Sequence, residues 1–249
     1  MKLNFKEKVI IVTGGTRGIG KQIADDLHGL GATVLITGTK LDEVKTLNEE
    51  AFRQKTKKKY FYLDFLDSSS LDSFIKKIAK YKRIDCLVNN AGINRLNHIQ
   101  NSNLSDWKEM LEVNLTSPYR LIKEISPTMI NNKYGRIINI SSIFGTISKE
   151  KRAIYSATKF GIHGLTVGCS NDLARYNILV NTVSPGFVLT DLTKINLSKI
   201  EREALSSQIP IQRMAETIDI SSTVVFLLSD LNTYLTGQNI IVDGGFTNV

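Results

Sequence analysis

Along the chain, short and nearly unbroken apolar runs alternate with longer segments whose apolar residues recur every three or four positions. The short runs, Val9 to Val12, Thr33 to Thr37, Tyr60 to Leu63, Cys86 to Val88, Arg136 to Ile140, Ile178 to Val183 and Asn239 to Val242, predict strands covered on both faces. The amphipathic segments, near 18–29, 41–54, 69–80, 105–131, 154–176 and 218–229, predict helices. Strand and helix alternating in this way predict an α/β fold, a doubly wound parallel sheet of seven strands. Parallel neighbours need crossovers, and right-handed crossovers lay helices on both faces. No repeat, low-complexity tract or linker divides the 249 residues, so they read as one domain, 1–249. Such sheets bind ligands beyond the carboxyl ends of their strands, where the chemistry is therefore expected.

Composition adds exclusions. Lys and Arg number 32 against 24 Asp and Glu, a net charge of +8 that favours anionic partners. The densest basic cluster, Lys55, Lys57, Lys58 and Lys59, has no interleaved aromatics and reads as a solvated loop, so nucleic acid is not expected as the main partner. Cys86 and Cys169 make no disulfide framework, and His28, His98 and His163 lie on separate elements, so no metal site is expected. The charged N-terminus is unlike a signal peptide, and no apolar run is long enough to span a bilayer. A cytoplasmic protein with no membrane partner is expected.

The first strand runs directly into Thr13-Gly14-Gly15-Thr16-Arg17-Gly18-Ile19-Gly20 and then a helix. Gly14 permits a tight turn, Gly18 close approach of backbone to a pyrophosphate, and Gly20 close helix packing, while the helix N-terminus offers free N–H groups to phosphate. A dinucleotide site is expected on Thr13, Gly14, Thr16, Arg17, Gly18, Ile19 and Gly20. After the second strand comes Gly38-Thr39-Lys40, with no acid to bind a ribose diol until Asp42. Arg17 and Lys40 are placed to meet a 2′-phosphate, with Thr39 between, so NADP(H) is preferred and NAD(H) is the alternative. Tyr155 and Lys159 stand four apart on a predicted helix, hence on one face; Tyr119 and Lys123 form a second such pair, but no strand-end serine precedes it. Hydride transfer at a carbonyl needs a proton donor or acceptor on the oxygen. A lysine cation beside a phenol is expected to lower its pKa, and Ser142 to donate a hydrogen bond to the substrate oxygen.

The Gly-x-x-x-Gly-x-Gly loop, Asn89-Asn90-Ala91-Gly92, Ser142, Tyr155-Ser-Ala-Thr-Lys159 and the closing Val242-Asp243-Gly244-Gly245 resemble the short-chain dehydrogenase/reductase family over essentially the whole chain. The resemblance implies a Rossmann-type sheet and a catalytic set of Asn114, Ser142, Tyr155 and Lys159. In that set Lys159 also binds the nicotinamide ribose, and Asn114 holds a water in the proton path. It further implies Asp64 at adenine, Asn90, Ala91 and Gly92 along the cofactor, and Pro185, Gly186, Val188 and Thr190 around the nicotinamide. Homotetramers are implied, built partly on the helix whose Ala157, Gly161, Gly164 and Gly168 form a stripe of small residues.

Within that family the sequence is most similar in pattern to bacterial 3-oxoacyl-(acyl carrier protein) reductases. The expected function is therefore NADP(H)-dependent ketoreduction of such a substrate, with acyl carrier protein a candidate partner. A sugar, polyol or other secondary-alcohol dehydrogenase is the alternative, and a non-catalytic nucleotide-binding scaffold a remote one. Of the basic residues that dock the carrier near the site mouth, Lys133 is kept, while Tyr176 stands where another is expected, with Arg175 beside it. Substrate choice is expected in the loops 93–105, 143–152 and 189–213.

Overall fold

A computed structural model describes residues 3–249. Seven parallel strands form one sheet: β1 (Val9–Val12), β2 (Thr33–Gly38), β3 (Lys58–Tyr62), β4 (Cys86–Asn89), β5 (Gly135–Ile140), β6 (Ile178–Pro185) and β7 (Asn239–Val242). Their order is β3-β2-β1-β4-β5-β6-β7, so the chain reverses its direction of winding between β1 and β4. That switch point opens a crevice at the strands' carboxyl ends. Successive strand residues point to opposite faces and seed two cores. Ile10, Val12, Val34 and Ile36 pack with Ile23, Leu27, Ile220 and Val224, from α1 (Gly18–Gly29) and α9 (Thr217–Leu228). Ile11, Leu35, Leu87 and Ile137 pack on the other face with Leu71, Phe74, Leu121 and Ile125. These come from α3 (Ser68–Ile78) and α5 (Ser117–Asn132); α2 (Leu41–Arg53) precedes β3.

The long helix expected over 105–131 is interrupted. It is built as α4 (Leu104–Leu111), one π-helical turn (Glu112–Thr116) and α5. Asn114 sits in the π turn with both ends of its amide in use. Its Oδ1 accepts from Ile93 N at 2.9 Å, and its Nδ2 donates to Ile93 O at 2.9 Å and to Thr158 Oγ1 at 3.1 Å. An extra residue in the turn lets one side chain reach loop and neighbouring helix together, which a regular 3.6-residue repeat does not show in sequence.

α6 (Ala153–Leu173) carries Tyr155 and Lys159 and is held to the sheet by buried polar bonds. Asn89 Nδ2 donates to Asn139 Oδ1 (2.8 Å), Asn139 Nδ2 to Thr166 Oγ1 (2.9 Å), and Thr182 Oγ1 to Thr166 Oγ1 (2.8 Å). Ser141 Oγ donates to Lys159 O at 2.9 Å. Being buried, these polar groups are costly to leave unpaired, so the network fixes the helix's position along β5.

Three expectations are corrected. The segment 189–213 is not a plain loop but carries α7 (Asp191–Asn196) and α8 (Lys199–Ser206), the second started by a reciprocal Ser198–Glu201 capping box. None of the residues of α8 is fully buried. Lys58 and Lys59 belong to β3 rather than to a solvated loop, and Lys58 Nζ lies 2.6 Å from Asp25. Lys133 ends α5, and Arg175 and Tyr176 lie just before β6. These three residues gather at the amino end of β5 and β6, opposite the end that bears Tyr155, so they do not border this chain's own site mouth. Among the described residues no helix is long and apolar enough to cross a membrane, and no cluster of metal-ligating side chains occurs.

Candidate active site

The loop after β1 is built by side chains that reach across the switch point. Thr13, 1% exposed, accepts at Oγ1 from Asn90 N (3.0 Å) and Ala91 N (3.1 Å). Asn90 Nδ2 donates to Thr13 O (2.9 Å) and Gly14 O (3.1 Å), and Gly14 N donates to Thr37 Oγ1 at 3.1 Å. A Cβ on Gly20 would lie 2.4 Å from Asn90 Nδ2 and 2.5 Å from Gly14 O, so only glycine allows α1 to come this close. Gly18 has φ +56°, and a Cβ there would meet nothing nearer than Thr190 Cγ2 at 3.6 Å.

Beyond this loop lies a cleft of about 390 Å³ lined by Gly14, Thr16, Arg17, Gly18, Ile19, Gly20, Thr39, Asp64, Asn90, Ala91, Gly92 and Thr190 among others. The first intrahelical bond of α1 is Lys21 N to Arg17 O (3.1 Å), so the N–H groups of Gly18, Ile19 and Gly20 precede the ladder and face the cleft's mouth. Free N–H groups at a helix start, glycine backbone without side-chain cover and an adjacent arginine are a donor set that fits a dinucleotide. Arg17 and Lys40 are both exposed, at the starts of α1 and α2. Asp42 is paired with Lys45 at 3.2 Å. A Cβ on Gly38 would meet Thr16 Cγ2 at 2.6 Å, so the position that an acid would occupy has no room for one without moving Thr16. Asp64 lines the cleft while accepting from Leu66 N at 2.9 Å.

A second cavity of about 270 Å³ is lined by Val188, whose carbonyl accepts from the N–H of Thr190 in the first cleft's lining at 3.0 Å. It brings together Ser142, Tyr155, Gly186 and Val188 with Asn94, Phe144, Arg152, Phe187, Thr193, Leu197 and Met214. Ser142 Oγ accepts from Phe144 N at 3.2 Å, and its hydroxyl donates toward the Tyr155 phenol within the cavity. Lys159 stands behind Tyr155, 4% exposed, with Nζ donating to Ile140 O at 2.9 Å and lying 5.6 Å from the Tyr155 ring centre. Thr13, Lys40 and Pro185 are outside the linings of both cavities. Thr13 is a clamp behind the loop, and Pro185 is a buried end of β6.

The expected electrostatics are reversed. Desolvation pushes the Tyr155 phenol above its ordinary value of 10.0, with Ser142 and Arg152 pulling the other way. Burial lowers Lys159 from 10.5 to about 8, because no carboxylate accompanies the ammonium into the protein. The nearby cation that favours phenolate is Arg152 rather than Lys159. Arg152, Phe144 and Thr193 were not singled out from the sequence. Their one signal was membership of the loops 143–152 and 189–213, since nothing local distinguishes a pocket arginine from a surface one.

A crevice at the switch point of a doubly wound sheet, with a glycine cradle beside a tyrosine, a serine and a buried lysine, defines a nucleotide-dependent oxidoreductase architecture. The family model described as enoyl-(acyl carrier protein) reductase matches residues 14–247. The chain belongs to the short-chain dehydrogenase/reductase family. It is 39% identical over 247 residues to the 3-oxoacyl-(acyl-carrier-protein) reductase FabG of Aquifex aeolicus (strain VF5), covering 98% of this chain and 99% of that protein. It is 36% identical over 244 residues to FabG of Escherichia coli (strain K12), covering 98% of each. Its fold matches the crystal structure of a gluconate 5-dehydrogenase from Burkholderia cenocepacia J2315 in complex with NADP and tartrate. There the TM-score is 0.91 at 28% identity, over 99% of this chain and 97% of that one.

Proposed function

We propose that this protein is an NADP(H)-dependent ketoreductase that reduces a 3-oxoacyl thioester to the 3-hydroxyacyl compound. The observation that carries the reading is the single cavity holding Tyr155 and Ser142 against the mouth of the glycine cleft. Bound reduced nicotinamide supplies the hydride. Tyr155, its pKa raised, is a phenol at neutral pH and gives the proton to the substrate oxygen. Ser142 donates a second hydrogen bond to the same oxygen and steadies the charge that develops there. Lys159 holds the floor of the site through Ile140 O and turns its remaining N–H donors toward the cleft wall at Gly92, where a Cβ would be 3.6 Å from Nζ. Asn114 positions Ile93 and Thr158. Arg17, at the open end of the cleft, pairs with the 2′-phosphate that distinguishes NADP from NAD.

The alternative substrate is a hydroxylated acid or polyol. The polar lining of Asn94, Arg152 and Thr193, and the gluconate 5-dehydrogenase of the same fold, favour it. The test is consumption of NADPH with an acetoacetyl thioester, run beside NADH and beside Tyr155→Phe. Fast, Tyr155-dependent turnover is expected; turnover only with a polyol or sugar acid and oxidised cofactor would move the assignment to the alternative.

The working protein in this reading is a cytoplasmic homotetramer. Gly161 is packed within the chain, its Cβ position 3.0 Å from Leu115 Cδ2, but Gly164 and Gly168 face open space beside the exposed Phe160 and Val167. That bare face of α6 suits a second copy's helix. Acyl carrier protein docked on Lys133 and Arg175 would then serve a neighbouring copy's site.

A further inference from the structure

Arg152 differs from the arginines that the fold uses for structure. Arg83, Arg95, Arg120 and Arg213 each hold a carboxylate, and Arg136 holds the carbonyls of Asn177 and Asn232. Arg152 has no such partner among the described residues. The neighbouring acid Glu150 pairs with His98 at 3.2 Å, and Asp219 with Arg213 at 2.6 Å. Its guanidinium is stacked 4.3 Å from the centre of the Phe144 ring, and Phe144 is itself braced edge-on by Phe187. The group is thus packed over an aromatic ring and half-buried, lining the same cavity as Tyr155 and Ser142. It stands one helical turn before Tyr155, close enough to act on the phenol's charge. Asn94 and Thr193 add neutral polar groups to the same lining.

A planar cation, stacked on an aromatic and lacking a protein carboxylate, is suited to accept one from a ligand through two parallel hydrogen bonds. We propose that Arg152 is a specificity-determining residue that binds a carboxylate one methylene away from the reacting ketone, so that free short-chain 3-oxo acids are ligands and substrates of this site. The inference rests on the ketoreductase reading for the position of the ketone and extends it to an acid that a thioester does not present. The carboxylate is a spectator: no bond to it forms or breaks, and the redox balance is that of the ketone reduction already described.

The test measures binding without turnover. Acetoacetate and its neutral methyl ester are titrated calorimetrically into the protein saturated with NADP⁺, for the wild type, Arg152→Gln and Arg152→Lys. The wild type is expected to bind the acid more tightly than the ester. Arg152→Gln should weaken the acid roughly 10- to 100-fold and the ester less than about 3-fold, with Arg152→Lys between. Equal losses for acid and ester, or a wild type that prefers the ester, overturns the proposal. Melting temperatures of the variants confirm that they are folded. Thioester turnover in the same preparations reports separately on the ketoreductase. Its absence, with acid binding still dependent on Arg152, rejects the thioester and keeps the anion site; its presence with acid binding indifferent to Arg152 does the reverse.

Discussion

In the glycine cleft, the bonds that shape the loop cross long stretches of chain: Asn90 to Thr13 and Gly14, Gly14 to Thr37, each linking a different strand end. Over the second cavity the opposite holds. Among the described side chains from Asp191 to Gln208 the bonds stay local, Ser198 to Glu201 and Ser207 and Gln208 to Ala204, and Ile195 and Ile200 are 80% and 78% exposed. The cleft is held by the sheet, whereas the cover is held mainly by itself. Long-range bonds to strand ends make a preformed site with little left to order on binding, while a locally bonded cover opens at low cost. Cofactor recognition and substrate recognition are therefore separable, and substitutions should divide along the same line.

The largest expected division is at Tyr155. Tyr155→Phe removes the proton donor and leaves the cleft untouched, so kcat should fall by about 10²- to 10⁴-fold while NADPH affinity changes little. Stopped-flow kinetics with a fluorescence titration of NADPH checks both halves. Normal turnover would remove Tyr155 from the chemistry, and a parallel loss of NADPH binding would break the separation. Arg17→Ala makes the converse cut. NADPH binding should weaken roughly 10- to 100-fold and NADH binding by less than about 3-fold, because only the former brings a phosphate to the exposed guanidinium. Equal losses measured by titration of the two cofactors would reject Arg17 as the phosphate's partner.

The same division governs what could be read from the residues. The strands, their parallel sheet and the glycine cradle were legible because apolar runs, helical periodicity and glycine spacing are local signals, and Val9–Val12 and Asn239–Val242 are found where they were expected. The π turn at Asn114 was not legible, since its cause is a set of bonds to Ile93 and Thr158 far along the chain. Nor was the cover, where α7 and α8 are started by the caps Thr190 and Ser198 and α8 buries none of its residues in the core. Arg152 shows the limit most plainly. Its residue type was visible, but its place in the cavity depends on the stacking face of Phe144. Proximity of Lys159 to Tyr155 is visible in the spacing of the two residues, whereas the burial of both groups, which prevails over it, is a property of the fold.

Lys159 stands at the boundary of the two halves and gives a smaller effect with a definite sign. Its pKa is about 8 in the folded protein against 10.5 unfolded, so between those values the unfolded chain binds more protons and stability rises with pH. Below pH 8 the buried charge costs its full amount, on the order of 3 kcal/mol for a shift of this size. Lys159→Met should therefore be more stable than the wild type without cofactor at pH 7, less the loss of the bond to Ile140 O, and the advantage should shrink toward pH 10.5. Urea unfolding across that range measures it; a difference that does not vary with pH would mean that Lys159 is not buried as a cation.

The smallest effect is expected in the cover. Ile195→Ser with Ile200→Ser replaces two side chains already in water, so global stability should change by no more than about 0.5 kcal/mol and NADPH affinity by less than about twofold. If the cover opens on its own bonds alone, amide exchange from Asp191 to Gln208 should be faster than in the loop Thr13 to Gly20, in wild type and variant alike. Beyond Asp191, which lines the cleft, its rate should also change less with saturating NADPH than that of the glycine loop. Exposed isoleucines on a locally bonded segment gain a role only if something apolar covers them. A rise in KM for a long 3-oxoacyl thioester in the double variant, with acetoacetyl thioester unchanged, would identify the acyl chain as that cover. Equal KM values for both lengths would leave the isoleucines outside the substrate's path and the cover's contribution confined to Thr193 and Leu197.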